Sequence, residues 1–455
     1  MSPRDAADPG SADLRRVVGF WGGTALIVGI TIGSGVFRKP QTLAGLLSDA
    51  PLILSLWAFF GLVSLCGALA LAELATMLPR TGGPYVFIHA AYGPAAAFVF
   101  GWLYLLVATP AAIGALCTFG AELLLGLTGR AARDFPPAAV PAVASAAVVL
   151  LGAANYRGAR LGSAIQGTLT VLKVSALVLV MALAVFAGGS FAHLGERASA
   201  VSGSALGRAA ASVIWAYDGW IAVSMIAGEV VAAERQMRRI VIAGMLAIVA
   251  LYLGANVAYF YVVPVTAMAQ ATEGVPQRIA AAVLGPGGAL LVSLLVLASV
   301  FGAANGNVLA KPRVPFALSR DGLTFAFLGR AHPRYATPHL AIAIQTAASV
   351  VLIWLLRDFD RLTTYYVVVE WAALLFSVGA VFVLRRSMPD ALRPFRTPGY
   401  PVVPALFLIG TFLGLAAIVW GEIDQATPNY SPIWGLVASL AGFPAYFLWR
   451  ARARG

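Results

Sequence analysis

Apolar residues run along this chain in long blocks, not in the alternation of a half-buried strand. Blocks long enough to cross about 30 Å of hydrocarbon fall at about 17–45, 51–77, 94–127, 138–154, 161–187 and 207–231. A second set falls at about 240–264, 282–311, 338–356, 362–384, 402–421 and 432–449. The pattern predicts twelve membrane-spanning helices, of which 138–154 and 338–356 are the shortest. No A-x-A cleavage pattern follows a short apolar core near the start, so the first block reads as a retained span.

Two blocks are interrupted. The first contains VGITIGSGVF, which puts Gly29, Gly33 and Gly35 within seven residues. Each interior glycine costs a helix about 1 kcal/mol relative to alanine, and a broken backbone in lipid needs new partners for its polar groups. The sixth block, SVIWAYDGWIAVSMIAGE, holds Asp218 and Gly219 at its middle, about 185 residues after the first break. Small residues that let helices pack closely would explain one glycine pair. Two breaks in corresponding places point instead to inverted repeats with a binding site between half-helices. The expected organisation is a tail at 1–16, a first repeat at 17–190 (helices 1–5), a second at 205–385 (helices 6–10), helices 11–12 at 400–450, and a tail at 451–455.

If the first helix unwinds at Ile32–Gly35, the amides of Gly33, Ser34, Gly35 and Val36 become free donors at a helix N-terminus, where an anion is favoured. Ser34 adds a hydroxyl. Carbonyls near Ile30 and Thr31, with those of Trp215, Ala216, Tyr217 and Asp218, would accept from an ammonium. Donors on one side and acceptors on the other match an α-amino acid zwitterion.

Composition agrees with the blocks. The 455 residues are 60% hydrophobic and 11% charged, with mean hydropathy +0.85; a soluble domain carries about 25% charged residues. The net charge of +12 is a topology signal. Twenty-one Lys and Arg fall in one set of segments and 9 in the other, and Lys173 is left inside a span. By the positive-inside rule both termini are cytoplasmic. The basic residues form no tract or stripe, which argues against a nucleic-acid partner. Cys66 and Cys117 sit in apolar stretches and read as small buried hydrophobes.

Several stretches carry a resemblance: ITIGSGVF; MLPRTGGPYVFI; WAYDGW followed by GEV; GAANGNVLAKPRVPFALSRDGL; and VLRRSMPDALRPFRTPGYPVVP. In this order they resemble the amino acid/polyamine/organocation (APC) superfamily, and within it bacterial relatives of the L-type amino acid transporters. The resemblance implies an all-α polytopic membrane protein of LeuT-type fold. It implies twelve transmembrane helices as a 5+5 inverted repeat plus two, with helices 1 and 6 discontinuous. The implied function is sodium-independent secondary transport of L-amino acids, neutral ones in the first instance, by alternating access as an exchanger (antiporter) or facilitator, in the bacterial inner (plasma) membrane. Carried over by position, Ser34 and Gly35 hold the carboxylate, carbonyls at Thr31, Trp215 and Asp218 hold the amine, and Trp215 closes over the substrate. The sequence departs from the family pattern in lacking a proline after GEV and in flanking Arg313 with Pro312 and Pro315.

Lys173, in QGTLTVLKVSAL, lies far from either interface, and an ionisable group at that depth is functional by default. The resemblance puts such a lysine where sodium sits in sodium-coupled relatives, acting on carbonyls freed by the first break. Asp218 and Glu370 are the other acids at depth. One use is recognition of a cationic substrate or a proton relay; the other is structural, Asp218 bracing the broken helix and Glu370 pairing with a polar neighbour. Trp215, Asn305 and Glu370 are candidate gate or pocket residues, with helix packing an equal use for Asn305. Glu73 and Glu229, at span ends, are expected to pair with Arg80 or with Arg235, Arg238 and Arg239. The competing reading is a proton-coupled symporter for amino acids, cationic ones or polyamines included.

An enzyme would need a nucleophile and base or a metal cluster at the active depth. His89, His193, His332 and His339 all fall at loops or span ends, and neither H-E-x-x-H nor G-x-S-x-G occurs. No catalytic residue, metal or cofactor is expected. With neither cysteine in an external loop, no disulfide-linked accessory subunit is expected; the partners are an amino acid and the lipid bilayer.

Overall fold

The computed structural model describes residues 18–80, 82–157, 159–221, 224, 230–271 and 274–454. The tail at 1–16 and Glu229 lie outside them. The described residues are helical, with no strand beyond an isolated bridge between Val18 and Val230. In chain order the helices are α1 (Phe20–Thr31), α2 (Gly35–Leu47), α3 (Ala50–Met77), α4 (Pro84–Tyr92), α5 (Pro94–Leu106), α6 (Ala108–Gly126), α7 (Ala139–Arg157), α8 (Ala159–Phe186) and α9 (Gly203–Tyr217). They continue as α10 (Ala233–Val262), α11 (Val265–Gln270), α12 (Val275–Ala310), α13 (Arg313–Arg320), α14 (His339–Leu356), α15 (Phe359–Ser387), α16 (Val402–Ile423), α17 (Ser431–Leu440) and α18 (Gly442–Arg454).

Each of the twelve apolar blocks has helix at its place. Among the described residues nine spans are long and apolar enough to cross a membrane, and ten if the bent pair α1–α2 counts as one; α8 and α9 mark the fifth and sixth blocks. The chain is therefore a multi-pass membrane protein. Boundaries depart from the hydropathy pattern where backbone chemistry intervenes. The third block divides at Val107 (φ −119°, ψ −72°). The eighth kinks at Gly285 (φ 67°) before Pro286, which lacks an amide for the helix ladder.

Helix starts follow local side-chain chemistry. Asp49 accepts from the Leu52 amide at 2.8 Å to begin α3, and Asp358 accepts from the Arg361 amide at 2.9 Å to begin α15. Ser202 accepts from the Ala205 amide at 3.1 Å to begin α9. Such caps satisfy amides that the helix leaves without partners.

The packing brings the interrupted elements to the centre. α2 lies along α9, α1 along α10, α8 along α12, and α9 along α16. Two of the resembling motifs also meet: Arg80 and Tyr85 both bond Asp321, the aspartate of SRDG. Burial and the Asp321 carboxylate push the Tyr85 phenol up from its ordinary range. Glu73 does not pair as expected. It takes two bonds from Arg385 (2.9 and 2.7 Å), one from the Thr397 amide (2.7 Å) and an ion pair with Arg393 at 3.5 Å. The end of α15 lies beside α3, so residues more than 300 positions away reach Glu73, while Arg80 turns to Asp321. Both cysteines are buried and free.

Candidate functional site

The first helix is broken where its glycines predict. α1 ends with the Ile32 amide bonded to the Val28 carbonyl at 2.9 Å. Ile32 then turns to extended backbone (φ −72°, ψ 102°), and α2 restarts at Gly35 with Ser34 as its N-cap. The next bonds of an unbroken helix would join the amides of Gly33, Ser34 and Gly35 to the carbonyls of Gly29, Ile30 and Thr31. None of them forms, and the amides of Gly33, Ser34, Gly35 and Val36 have no backbone acceptor. They stand at the positive end of the α2 dipole.

Two side chains replace the missing donors. The buried Lys173 donates from Nζ to the Gly29 carbonyl at 2.8 Å. The Tyr252 hydroxyl on α10 lies 2.9 Å from the Thr31 carbonyl and 2.9 Å from the Ala216 carbonyl. It carries one proton, so it donates to one of them at a time. The Thr31 hydroxyl is buried without a partner. Lys173 thus meets a carbonyl that the break frees. Tyr252 is absent from the sequence-derived candidates; its only signal there is a polar tip deep in the apolar run VALYLGANVAYF.

The second break faces the first. α9 ends at Tyr217, the Asp218 amide bonds back to the Trp215 carbonyl at 3.3 Å, and Gly219 adopts φ 121°. A Cβ on Gly35 would come within 2.5 Å of both Cα and Cβ of Ala216, and one on Gly219 within 2.9 Å of Thr31 Cα. Only glycine permits this approach of the two backbones. The Trp215 indole donates to Ser34 Oγ at 3.1 Å. Its ring meets Tyr366 and Phe359 edge-on, with centroids at 5.3 and 6.1 Å. Thr31, Ile32, Gly33, Ser34, Gly35, Trp215, Ala216 and Asp218 are therefore one neighbourhood.

The remaining candidates separate. Asn305 accepts from Asn155 Nδ2 at 2.8 Å, a contact joining α12 to α7. Glu370 is fully buried and accepts from the Tyr104 hydroxyl. Half-buried Asp218 accepts from the Tyr366 hydroxyl at 2.7 Å, and that same hydroxyl accepts from Lys311 Nζ at 2.9 Å. Lys311 counts among the loop charges in the sequence, yet it is 7% exposed. It closes α12, close enough to the break for its charge to act on both acids. At the end of the bundle where α15 begins, the buried Lys39 bonds Asp360 and, at 2.8 Å, Thr363, with its ammonium 4.7 Å from the Phe359 ring centre.

Comparison with known proteins fits this geometry. The sequence profile of the amino acid permease family matches residues 18–443. The chain is 29% identical to the serine/threonine exchanger SteT of Bacillus subtilis, over 95% of this chain and 97% of that protein. It is 29% identical to the human b(0,+)-type amino acid transporter 1, over 97% of this chain and 89% of that protein. It is 27% identical to the human cystine/glutamate transporter, over 96% and 85%. These relatives are transporters and exchangers, not enzymes, and the superfamily has the LeuT-type fold. With a profile match over nearly its whole length, the chain belongs to the amino acid permease family of the APC superfamily.

Proposed function

We propose that this permease is a sodium-independent carrier of neutral L-amino acids that works by alternating access as an exchanger or facilitator. The two broken helices in contact are the observation that carries the reading. The amides of Gly33, Ser34, Gly35 and Val36 receive the substrate carboxylate, favoured by the α2 dipole. The Ser34 hydroxyl, already accepting from Trp215, keeps its own proton for the same anion. The ammonium takes the acceptors at Thr31, Ala216 and Asp218; the Tyr252 hydroxyl donates to one of the first two at a time and leaves lone pairs on both. Trp215, between Ser34 and Phe359, covers the substrate. The role of Lys173 as a fixed cation in place of sodium is supported by its bond to the carbonyl that the break frees. The serine/threonine exchange named for the Bacillus relative favours small side chains and a plasma-membrane location. Both termini are then cytoplasmic by the loop charges, and no disulfide-linked subunit is required.

A second reading, a proton-coupled symporter that also takes cationic amino acids or polyamines, is favoured by Asp218, an acid at the break that keeps part of its surface exposed. The inverted-repeat boundaries at 17–190 and 205–385 belong to both readings. The test is a panel of radiolabelled L-amino acids in proteoliposomes, with and without sodium, internal substrate and a pH gradient. Saturable uptake that ignores sodium and is accelerated by internal amino acid is the expected result. Strict sodium dependence, or no saturable uptake of any amino acid, would overturn the main reading.

A further inference from the structure

Beside the second break, among the described residues, two carboxyls, the Lys311 ammonium and two phenols gather: Asp218, Glu370, Lys311, Tyr104 and Tyr366. Tyr366 takes a hydrogen bond from Lys311 at 2.9 Å and gives one to Asp218 at 2.7 Å. Its hydroxyl therefore passes the lysine charge to Asp218, and those two charges balance. Glu370 follows Tyr366 by four residues on α15 and so lies one helical turn along the same face. Its Oε1 accepts from Tyr104, and its buried Oε2 has no protein partner. Glu370, Tyr104 and Tyr366 are fully buried. The Lys311 ammonium cannot neutralise both acids, and burying a carboxylate with one hydrogen bond costs more than burying the neutral acid.

We propose that Glu370 is a proton-binding site of the transport cycle. It takes a proton from the outer water before the helices close around substrate, gives that proton to the inner water when they part, and returns as a carboxylate when the carrier is empty. Net uptake then carries one proton with each amino acid, whereas one-for-one exchange carries none. The link to substrate runs through Trp215, whose indole bonds Ser34 and whose ring abuts Tyr366. This inference rests on the amino acid transport reading and deepens its proton-coupled form.

The groups that act on Glu370 are Lys311, Asp218 and Tyr104, with Tyr366 on its own helix. Other polar groups on the elements packed against α15 act elsewhere. Lys39 on α2 and Glu122 on α6 face Asp360 at its first turn, and Glu73 on α3 faces Arg385 at its last. Tyr92 on α4 bonds the Phe376 carbonyl, and Gln345 on α14 bonds the Tyr104 carbonyl. On α9 and α16, Arg208 and Glu422 both bond Gln425.

The experiment uses the full chain in proteoliposomes with a trapped pH dye and the membrane potential clamped, with L-serine, L-alanine and L-lysine as probes. Wild-type vesicles given an inward gradient of a transported probe should acidify inside. Glu370→Gln should retain labelled exchange and lose acidification. Wild-type uptake without acidification, or acidification by Glu370→Gln equal to wild type, would overturn the inference. Loss of every uptake and exchange signal in wild type would instead overturn amino acid transport itself, and the inference with it. If Glu370→Gln is inactive, labelling of the wild type with dicyclohexylcarbodiimide, which attacks protonated carboxyls in apolar surroundings, decides. A mass shift on the Glu370 peptide, reduced at high pH, is expected, and an unmodified peptide would refute the assignment.

Discussion

Replacing Lys173 by methionine tests the first break most directly. Methionine keeps most of the side-chain bulk but removes the donor to the Gly29 carbonyl, held at 2.8 Å by a residue that is 0% exposed. A hydrogen bond to a charged group is worth about 1.5–3 kcal/mol net, and a buried carbonyl left without a donor costs about 1–3 kcal/mol. Since every 1.4 kcal/mol is tenfold, the break should lose roughly 10- to 100-fold in its preference for the arrangement described. The Gly33 amide makes no bond to the Gly29 carbonyl, so the helix ladder does not replace the lysine. The assay is initial-rate exchange of labelled L-serine in proteoliposomes, with the inserted amount of each variant measured. We expect Lys173→Met to lower the rate at least tenfold with an unchanged elution profile in detergent. Wild-type kinetics in Lys173→Met would refute the reasoning, because the break would then not depend on this ammonium.

The other predictions concern the contacts around it. Gly35→Ala should abolish transport, because its Cβ would sit 2.5 Å from Ala216 and overpacking of that kind costs about 1–3 kcal/mol; Gly45→Ala, on the same helix with nothing within 4 Å, is the control and should transport normally. Tyr252→Phe should raise the KM for amino acid exchange more than it lowers the maximal rate, since the hydroxyl holds Thr31 and Ala216 in register; an unchanged KM would show that the two carbonyls are aligned without it. Glu73→Gln should lower thermal stability in detergent, because losing one partner of a buried ion pair costs about 3–5 kcal/mol; an unaltered melting profile would count against this network as a brace between α3 and α15.

The sequence alone determined the class of this protein and the location of its breaks. Hydropathy blocks mark spans because lipid admits few alternatives to a closed helix, and glycines inside such a block have a local cost that shows at once. Lys173 was legible for the same reason, since an ammonium inside the apolar block at 161–187 stands out without any knowledge of its neighbours. Tertiary structure decided which groups meet. Tyr252 spans the two breaks because α10 passes both, and a tyrosine in an apolar helix gives no sign of that. Lys311 reads as a loop charge by its position after Ala310, yet the close of α12 turns it toward Tyr366. Glu73 reads as the partner of Arg80, seven residues on, but the distant end of α15 supplies Arg385 instead. Burial at a chosen depth is a property of one segment and can be read from it. Ion pairing depends on distances between segments far apart in the chain, which only the packed bundle sets.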